Sequence, residues 1–415
     1  MTMKKIGGFI YPWGNGHFTR MMHLDKVIRE TMKNDIEIHY SSSGEIYQKL
    51  LKKFEEKRLI HNIDMPIPID GKKGPSVFLS LYNFLLPVKD RAPLLSVMAN
   101  YLRSEGRLYD NQKFNLIIND GDVGSNAIAK RRNVDSIFIT NQFRPRLWAS
   151  RFYLYPGLLY ISANIAKATK IIVADSAPPN TICEYNLNFP DKLKEKVIYA
   201  GHFSNGIVKH SEPKSDFERL IETADNFGYW MITGNKSTNE ITRSTYEKIF
   251  RRSEMDSERR IISHARKDTS LDKVLGKDGK TYSIAEACEK RIDWIQIDIG
   301  FMSEQEKDNV LNLCKYAVIN GSHTAMGEIL GGKAKPIIGI PVYDEHTNQI
   351  KWAQDRKLGI LSTSIKNTIK AVSQIHRNYN KYQENLAEFC RNYDTNGTKN
   401  TVKIISEMLK DQKEL

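Results

Sequence analysis

One pattern runs through the chain: short apolar runs alternate with longer stretches of helical spacing. In the first half the apolar runs fall at residues 5–11, 35–40, 115–118, 136–140, 170–174 and 196–200, and residues 19–32 and 45–57 have helical character. The second half repeats this, with runs at 229–233, 260–263, 294–299, 317–320 and 336–341 and helical segments at 304–314 and 325–330. Strands that are apolar throughout are buried on both faces, and parallel strands need a helical crossover to connect them. The alternation therefore predicts parallel sheets covered by helices on both faces. A polar stretch at 204–227 (SNGIVKHSEPKSDFERLIETADNF) separates the halves and reads as a linker. Residues 364–409 read as a long, charged helical tail. The expected fold class is α/β, with two doubly wound domains facing across a cleft, where ligands sit at the carboxyl ends of the strands.

Charge and composition narrow the partners. The net charge of +13 favours something anionic. The basic residues are spread out, and clusters such as Lys130-Arg131-Arg132 and Arg251-Arg252 are too short for a nucleic-acid arm, so no nucleic-acid partner is expected. Cys183, Cys288, Cys314 and Cys390 are scattered with no C-x-x-C pair, which argues against a zinc or redox centre. The opening Met1-Thr2-Met3-Lys4-Lys5 leads straight into a strand-like run and does not read as a signal peptide. A reducing, cytoplasmic setting is expected.

Two uncharged runs are notable. Residues 76–88 (SVFLSLYNFLLPV) lie between Lys72, Lys73 and Lys89, Arg91, and residues 152–166 (FYLYPGLLYISANIA) lie between Arg144, Arg146, Arg151 and Lys167, Lys170. Both are shorter than the ~18 residues that a membrane span requires. They read either as core helices of a large domain or as an apolar patch with a basic rim, suited to a membrane surface.

The densest chemical signal is residues 320–349 (NGSHTAMGEILGGKAKPIIGIPVYDEHTNQ). A strand ends at Asn320-Gly321 and a helix starts near His323. Unpaired amides and the positive dipole end of a helix N-terminus suit a diphosphate. Gly321 allows close approach to the backbone, and Ser322 and Thr324 can cap the helix or bind phosphate oxygens. Glu328 lies five residues into the helix, ~7–8 Å along its axis. That is the reach from a diphosphate to the ribose of the same nucleotide, whose vicinal hydroxyls a carboxylate can accept.

Polar loops follow other strands. Gly14, Asn15 and Gly16 form a turn after the first, and His17 opens the next helix. Histidine ordinarily titrates near neutral pH, which suits removal of a proton from a hydroxyl, although a capping histidine occupies the same place. Asn119-Asp120-Gly121-Asp122 closes another strand. Asp120 or Asp122 can orient the His17 imidazole. The same spacing also fits an Asp-x-Asp metal site or a solvated turn. In the second half Gly234, Asn235 and Lys236 follow the first strand, where Lys236 can stabilise a leaving diphosphate. His264, Arg266 and Lys267 follow the next strand, and Phe301 and Met302 follow the third.

The run Gly321-x-x-Thr324-x-x-x-Glu328, then Gly332-Lys333-Ala334-Lys335-Pro336, an apolar strand ending at Pro341 and the polar Asn348-Gln349 segment resembles nucleotide-diphospho-sugar glycosyltransferases, in particular the MurG-like branch and its archaeal relatives. The resemblance implies the GT-B architecture: an acceptor-binding Rossmann-like domain at 1–205, a linker at 206–227, a donor-binding Rossmann-like domain at 228–385, and a C-terminal helix at 386–415 returning to the first domain. It implies donor contacts at Gly234, Asn235, Lys236, Phe301, Met302, Gly321, Ser322, His323, Thr324, Glu328, Asn348 and Gln349. Gly14, Asn15, Gly16, Asp122 and Arg144 would border the acceptor, and His17 matches the general base of plant-type relatives. The chain departs from the family pattern at Trp352, where Asn is usual, and in its expanded Gly-Lys-Pro turn. Either Asn348 or Gln349 then meets the donor sugar.

The resulting expectation is an inverting transferase using neither metal nor cofactor, in which His17 takes the proton and Asp120 orients its imidazole. It moves a hexosyl or N-acetylhexosaminyl group from a UDP-sugar to a hydroxyl acceptor. The acceptor is expected to be lipid-linked and the protein peripheral at the inner face of the cell membrane, on an anionic surface. Two alternatives remain: a UDP-sugar epimerase or hydrolase on the same fold, and a non-catalytic basic protein binding nucleic acid or anionic lipid.

Overall fold

The computed structural model describes residues 3–32, 35–71, 74–75, 77–88, 91–147, 155–204, 212–224, 226–234 and 236–411. The chain forms two compact units. The first comprises Met1–Ser204 and Asp394–Leu415, the second Asn205–Tyr393.

The first unit is built on seven parallel strands. Edge to edge they are Ile60–Asn62, Ile36–Ser42, Lys4–Ile10, Leu116–Asp120, Asp135–Thr140, Lys170–Val173 and Val197–Tyr199. Chain order thus runs outward in both directions from Lys4–Ile10, the doubly wound arrangement the alternation predicts. The central strands are buried on both faces, with Ile6, Ile10, Leu116, Ile117, Ile137, Ile139, Ile171 and Ile172 all fully covered. This is why their sequence reads as continuous apolar runs. The helix Gly16–Met32 covers one face through Met21, Leu24 and Ile28. Beside it lies the last helix, Gly397–Asp411, which adds Val402, Ile405, Met408 and Leu409 to the same core.

The second unit has eight strands in the order Thr281–Tyr282, Lys273–Gly276, Trp294–Ile299, Arg260–Ser263, Gly228–Met231, Tyr316–Ile319, Ile337–Gly339 and Gly359–Leu361. The last six of these are parallel and again wind outward from the first in chain order, Gly228–Met231. The other two form an antiparallel hairpin on the edge.

The structure alters two sequence expectations and decides a third that was open. The charged tail is not one long helix: Ile365–Arg377, Tyr379–Arg391 and Gly397–Asp411 are separate, broken at Asn378 and again at residues 392–396. The helix after Gly321 is α-helical only over His323–Met326, then π-helical over Gly327–Gly332, so Glu328 sits in a wider turn than an even α-helix provides.

The third point concerns the uncharged runs, which the sequence left open between core and surface; residues 76 and 152–154 lie outside the described residues. Val88 and Ile165 are buried, but most of the large apolar side chains face outward. On the helix Val77–Leu85 the side chains of Phe78, Leu81, Tyr82 and Leu85 are 78%, 66%, 51% and 67% exposed. Their i, i+3, i+4, i+7 spacing places them on one face. The polar Asn83 is buried instead and donates to the carbonyls of Leu86 and Ala92. The helix Tyr155–Ile165 repeats the inversion: Tyr155, Leu159, Tyr160 and Ile161 are exposed while Ser162 and Asn164 are buried.

Candidate active site

In doubly wound sheets the crevice for ligands opens where the strand order reverses, at the strands' carboxyl ends. In the first unit that place lies between Lys4–Ile10 and Leu116–Asp120, paired from Ile6↔Leu116 to Ile10↔Asp120. Gly14, with φ +86°, turns the chain after the first of these strands. Thr19 N–H then bonds the Asn15 carbonyl, and Gly16 and His17 open the helix.

His17 Nδ1 stands 2.6 Å from Asp120 Oδ1. Arg20, one helical turn on, grips the same carboxylate with both ends of its guanidinium: Nε to Oδ2 at 3.0 Å and Nη2 to Oδ1 at 2.6 Å. Asp120 is fully buried, Arg20 nearly so, and the His17 side chain keeps 23% of its surface exposed. Burial alone would raise the Asp120 carboxyl pKa, but the Arg20 charge, that of His17 when it is protonated, and the hydrogen bonds from both outweigh it and hold it below the usual value. An ionised carboxylate only accepts, so the proton sits on Nδ1 and the Nε2 lone pair is left to accept another. Nη2 of Arg20 is also 3.1 Å from Nδ1; with both groups donors in this tautomer, the contact is not a hydrogen bond.

Gly121 makes room for this pair. Its φ is +83°, and a Cβ there would lie 2.7 Å from His17 Cε1 and 2.8 Å from Tyr11 Cβ. The Tyr11 ring meets the His17 imidazole edge-on at 5.8 Å. Asp122 is differently employed. It caps the helix Val123–Arg131, accepting from the amides of Gly124 and Ser125 and from the Tyr101 hydroxyl. Burial lifts its pKa to about 6, and Glu105, buried within electrostatic reach, is raised well above the usual carboxylate range, first by burial and then by the Asp122 charge. Because the two aspartates are committed to different protein partners, a shared metal between them fits this donor set poorly. Arg144 stands apart from the pair, with Nε donating to Ser162 Oγ at 3.0 Å and its amide to the Leu187 carbonyl.

The second unit's strand order reverses between Gly228–Met231 and Tyr316–Ile319. Here amides replace the ionisable pair. Asn320, buried, donates from Nδ2 to the Thr233 carbonyl at 2.8 Å, and its Oδ1 accepts from the Ser322 amide at 3.1 Å. One side chain thus ties the two strand ends together. Gly234 (φ +119°) and Gly321 (φ +93°) both need left-handed backbone. A Cβ on Gly321 would also lie 2.7 Å from Ile350 Cδ1 and 3.0 Å from the His346 carbonyl. Ser322 precedes the helix as its N-cap residue without bonding it through its side chain. Ser322 and Thr324 are partly exposed, and His323 is buried.

Glu328 is partly exposed, and its Oε1 lies 2.7 Å from Lys307 Nζ. Phe301 is 55% exposed beneath the Lys267 ammonium, 5.2 Å from the ring centre, while Met302 is buried. Asn348 and Gln349 are both buried on the helix Asp344–Asp355, where Gln349 Nε2 donates to Glu345 Oε1 at 3.2 Å. Trp352 is packed inside against Phe389, with Arg356 over its ring, as a core residue. Lys236 is the first residue of the helix Lys236–Phe250. Asn235 lies outside the described residues.

Sequence reasoning missed Arg20 and Asn320 as parts of these sites. Arg20 sits at i+3 from His17, the spacing that puts both on one helix face, and this was the available signal. Nothing local marks Asn320 as a bridge, since its partner Thr233 is distant in sequence.

No family model matches the sequence, and no curated protein does either. Solved structures do match, over nearly the whole chain. The structure of Phytolacca americana UGT2 complexed with UDP-2fluoro-glucose and pterostilbene is 14% identical with a TM-score of 0.64, covering 99% of this chain and 99% of that one. MurG of Acinetobacter baumannii is 11% identical with a TM-score of 0.56, covering 98% and 99%. A UDP-N-acetylglucosamine 2-epimerase is 11% identical with a TM-score of 0.56, covering 100% and 98%. The chain has the GT-B fold. At these identities the likeness is one of architecture. Within the GT-B frame, the residues brought together at the first unit's crevice are His17, Arg20 and Asp120, and those at the second are Thr233, Asn320, Gly321 and Ser322.

Proposed function

We propose that the chain is a glycosyltransferase that moves a sugar from a UDP-sugar to a hydroxyl acceptor with inversion, without a metal or cofactor. The observation that carries this reading is the buried Asp120 carboxylate holding Nδ1–H of a partly exposed His17, which leaves Nε2 as a base. In this reading the first unit binds the acceptor. Nε2 takes the hydroxyl proton as the oxygen attacks the anomeric carbon, and Asp120 stabilises the imidazolium that forms. The second unit binds the donor. The helix start at His323–Thr324, beyond the Ser322 amide that Asn320 already holds, and the start of the helix Lys236–Phe250 receive the diphosphate, Glu328 the ribose, and the exposed Phe301 ring the base. Gln349, with its neighbour Glu345, is the reading's choice for the donor sugar. The 2-epimerase likeness favours a second reading in which UDP-sugar is converted with no acceptor.

The acceptor in this proposal is lipid-linked, and the protein works as a peripheral protein on the cytoplasmic face of an anionic membrane. Support comes from the solvent-facing apolar stripe Phe78, Leu81, Tyr82 and Leu85, all in the unit assigned to the acceptor, together with the net charge of +13. Among the described residues no helix is long and apolar enough to cross a membrane. Flotation with anionic vesicles tests this part. Binding at low salt that is released by high salt and lost in Phe78→Asp/Leu81→Asp is the expected result; an unbound wild type refutes it.

A nucleotide panel tests the donor. UDP should stabilise the protein more than GDP or ADP, by RT ln(1 + [L]/Kd), about 2.7 kcal/mol at a hundredfold excess over Kd. Glu328→Ala should remove ~1.5–3 kcal/mol of UDP affinity. Unchanged affinity in that variant would remove Glu328 from the ribose.

A further inference from the structure

The second unit carries an ion pair at Glu328 that the reading above leaves unused. Lys307 Nζ holds Glu328 Oε1 at 2.7 Å, with the two side chains about one-third exposed at 35% and 32%. Lys307 belongs to the helix Glu304–Leu313, which Ser303 starts with a reciprocal cap to Glu306 directly after Phe301 and Met302. The next residue, Asp308, pairs at 2.5 Å with Lys333, just past the π-turn that contains Glu328. Two bridges of opposite polarity therefore fasten the helix behind the Phe301 loop to the segment bearing Glu328. A partly exposed pair of this kind adds little to stability, because solvent screens it. Its geometric effect is larger. A free glutamate has several rotamers, and the pair favours the one that brings Oε1 to the ammonium. Oε2 of Glu328 has no hydrogen-bond partner among the described residues.

We infer that Lys307 is a positioning residue for nucleotide recognition. It holds Glu328 by one oxygen so that the other accepts from the vicinal ribose hydroxyls, and it couples that contact to the loop at Phe301. The inference rests on the proposed UDP-sugar reading and concerns the discrimination of ribose from deoxyribose. A Glu328 held in place should reward each ribose hydroxyl, whereas an untethered one should reward it far less.

The test is calorimetric binding of UDP, 2′-deoxy-UDP and 3′-deoxy-UDP to wild type, Lys307→Met, Lys307→Arg and Glu328→Gln. Wild type should prefer UDP over the deoxy analogues by about tenfold, the worth of one charge-assisted hydrogen bond. Lys307→Met should lose most of that preference while its unliganded melting temperature stays within about 2 °C of wild type. Lys307→Arg, which keeps the charge, should retain it. Full discrimination in Lys307→Met overturns the role of Lys307 and leaves the donor reading standing. Wild type that binds UDP and the deoxy analogues equally removes Glu328 from the ribose and overturns the inference with it. If wild type binds no UDP, the donor reading itself has failed.

Discussion

The two units of this chain share a sheet topology and differ in what stands at the point where the strand order reverses. Each winds outward from its first strand, and each turns there through glycines with positive φ, Gly14 and Gly121 in one and Gly234 and Gly321 in the other. At the first unit's crevice the polar groups are ionisable and interlocked, as His17, Arg20 and Asp120. At the second they are amides, with Asn320 bridging Thr233 and Ser322. In the proposed reading the first arrangement moves a proton and the helix start beside the second receives an anion. A common scaffold then serves two kinds of chemistry, because the strand ends set only positions while the residues placed on them set charge.

Removing the ionisable pair should have the largest effect. His17→Ala should bind UDP normally and lose ~10²–10⁴ of its transfer rate. Asp120→Asn acts through the same step, so the double variant should be little worse than His17→Ala. Near-wild-type kcat in His17→Ala would return that residue to a structural part.

Two matched glycine substitutions sharpen the contrast. Gly121→Ala places a methyl 2.7 Å from His17 Cε1, and Gly321→Ala places one 2.7 Å from Ile350 Cδ1. The first should cost about 10²-fold in kcat through displacement of the imidazole and leave UDP affinity intact. The second should weaken UDP binding. Each is measured by paired turnover and titration; both variants failing in the same assay would mean the two crevices are not specialised as argued.

The smallest effect concerns the acids behind the first crevice. Asp122, raised from 3.8 to about 6, and Glu105, raised further, bind protons more readily in the folded chain than in the unfolded one. Stability contributed by such groups is greatest below the unfolded pKa and falls as pH rises through the folded one. Glu105→Gln should therefore raise the melting temperature by about 2–4 °C at pH 7–8, with the gain fading toward pH 4. An equal shift at both pH values would count against this.

Much of the architecture was legible because buried parallel strands are apolar throughout. Arg260–Ser263 and Trp294–Ile299 fall where the sequence places them, and the other central strands lie within a residue or two. The edge strands Ile60–Asn62 and Thr281–Tyr282, and Lys273–Gly276 beside the latter, were not legible, since they are short and partly exposed and carry no apolar run. The pairing of His17 with an aspartate at the end of another strand was readable from strand-end chemistry, but the choice of Asp120 over Asp122 needed the geometry. At residues 76–88 composition alone left core and surface open, because an uncharged helix suits either; the exposure of Phe78, Leu81, Tyr82 and Leu85 and the burial of Asn83 against the Leu86 and Ala92 carbonyls show that the apolar face points outward.

The most direct test of the division of labour is UDP release from a panel of UDP-sugars, measured for wild type and His17→Ala with and without a membrane lipid extract as acceptor source. The account predicts release by wild type only when acceptor is present, and loss of that release in His17→Ala with UDP affinity unchanged. Conversion or hydrolysis of UDP-sugar by wild type without acceptor, at a rate unaffected by His17→Ala, would contradict it.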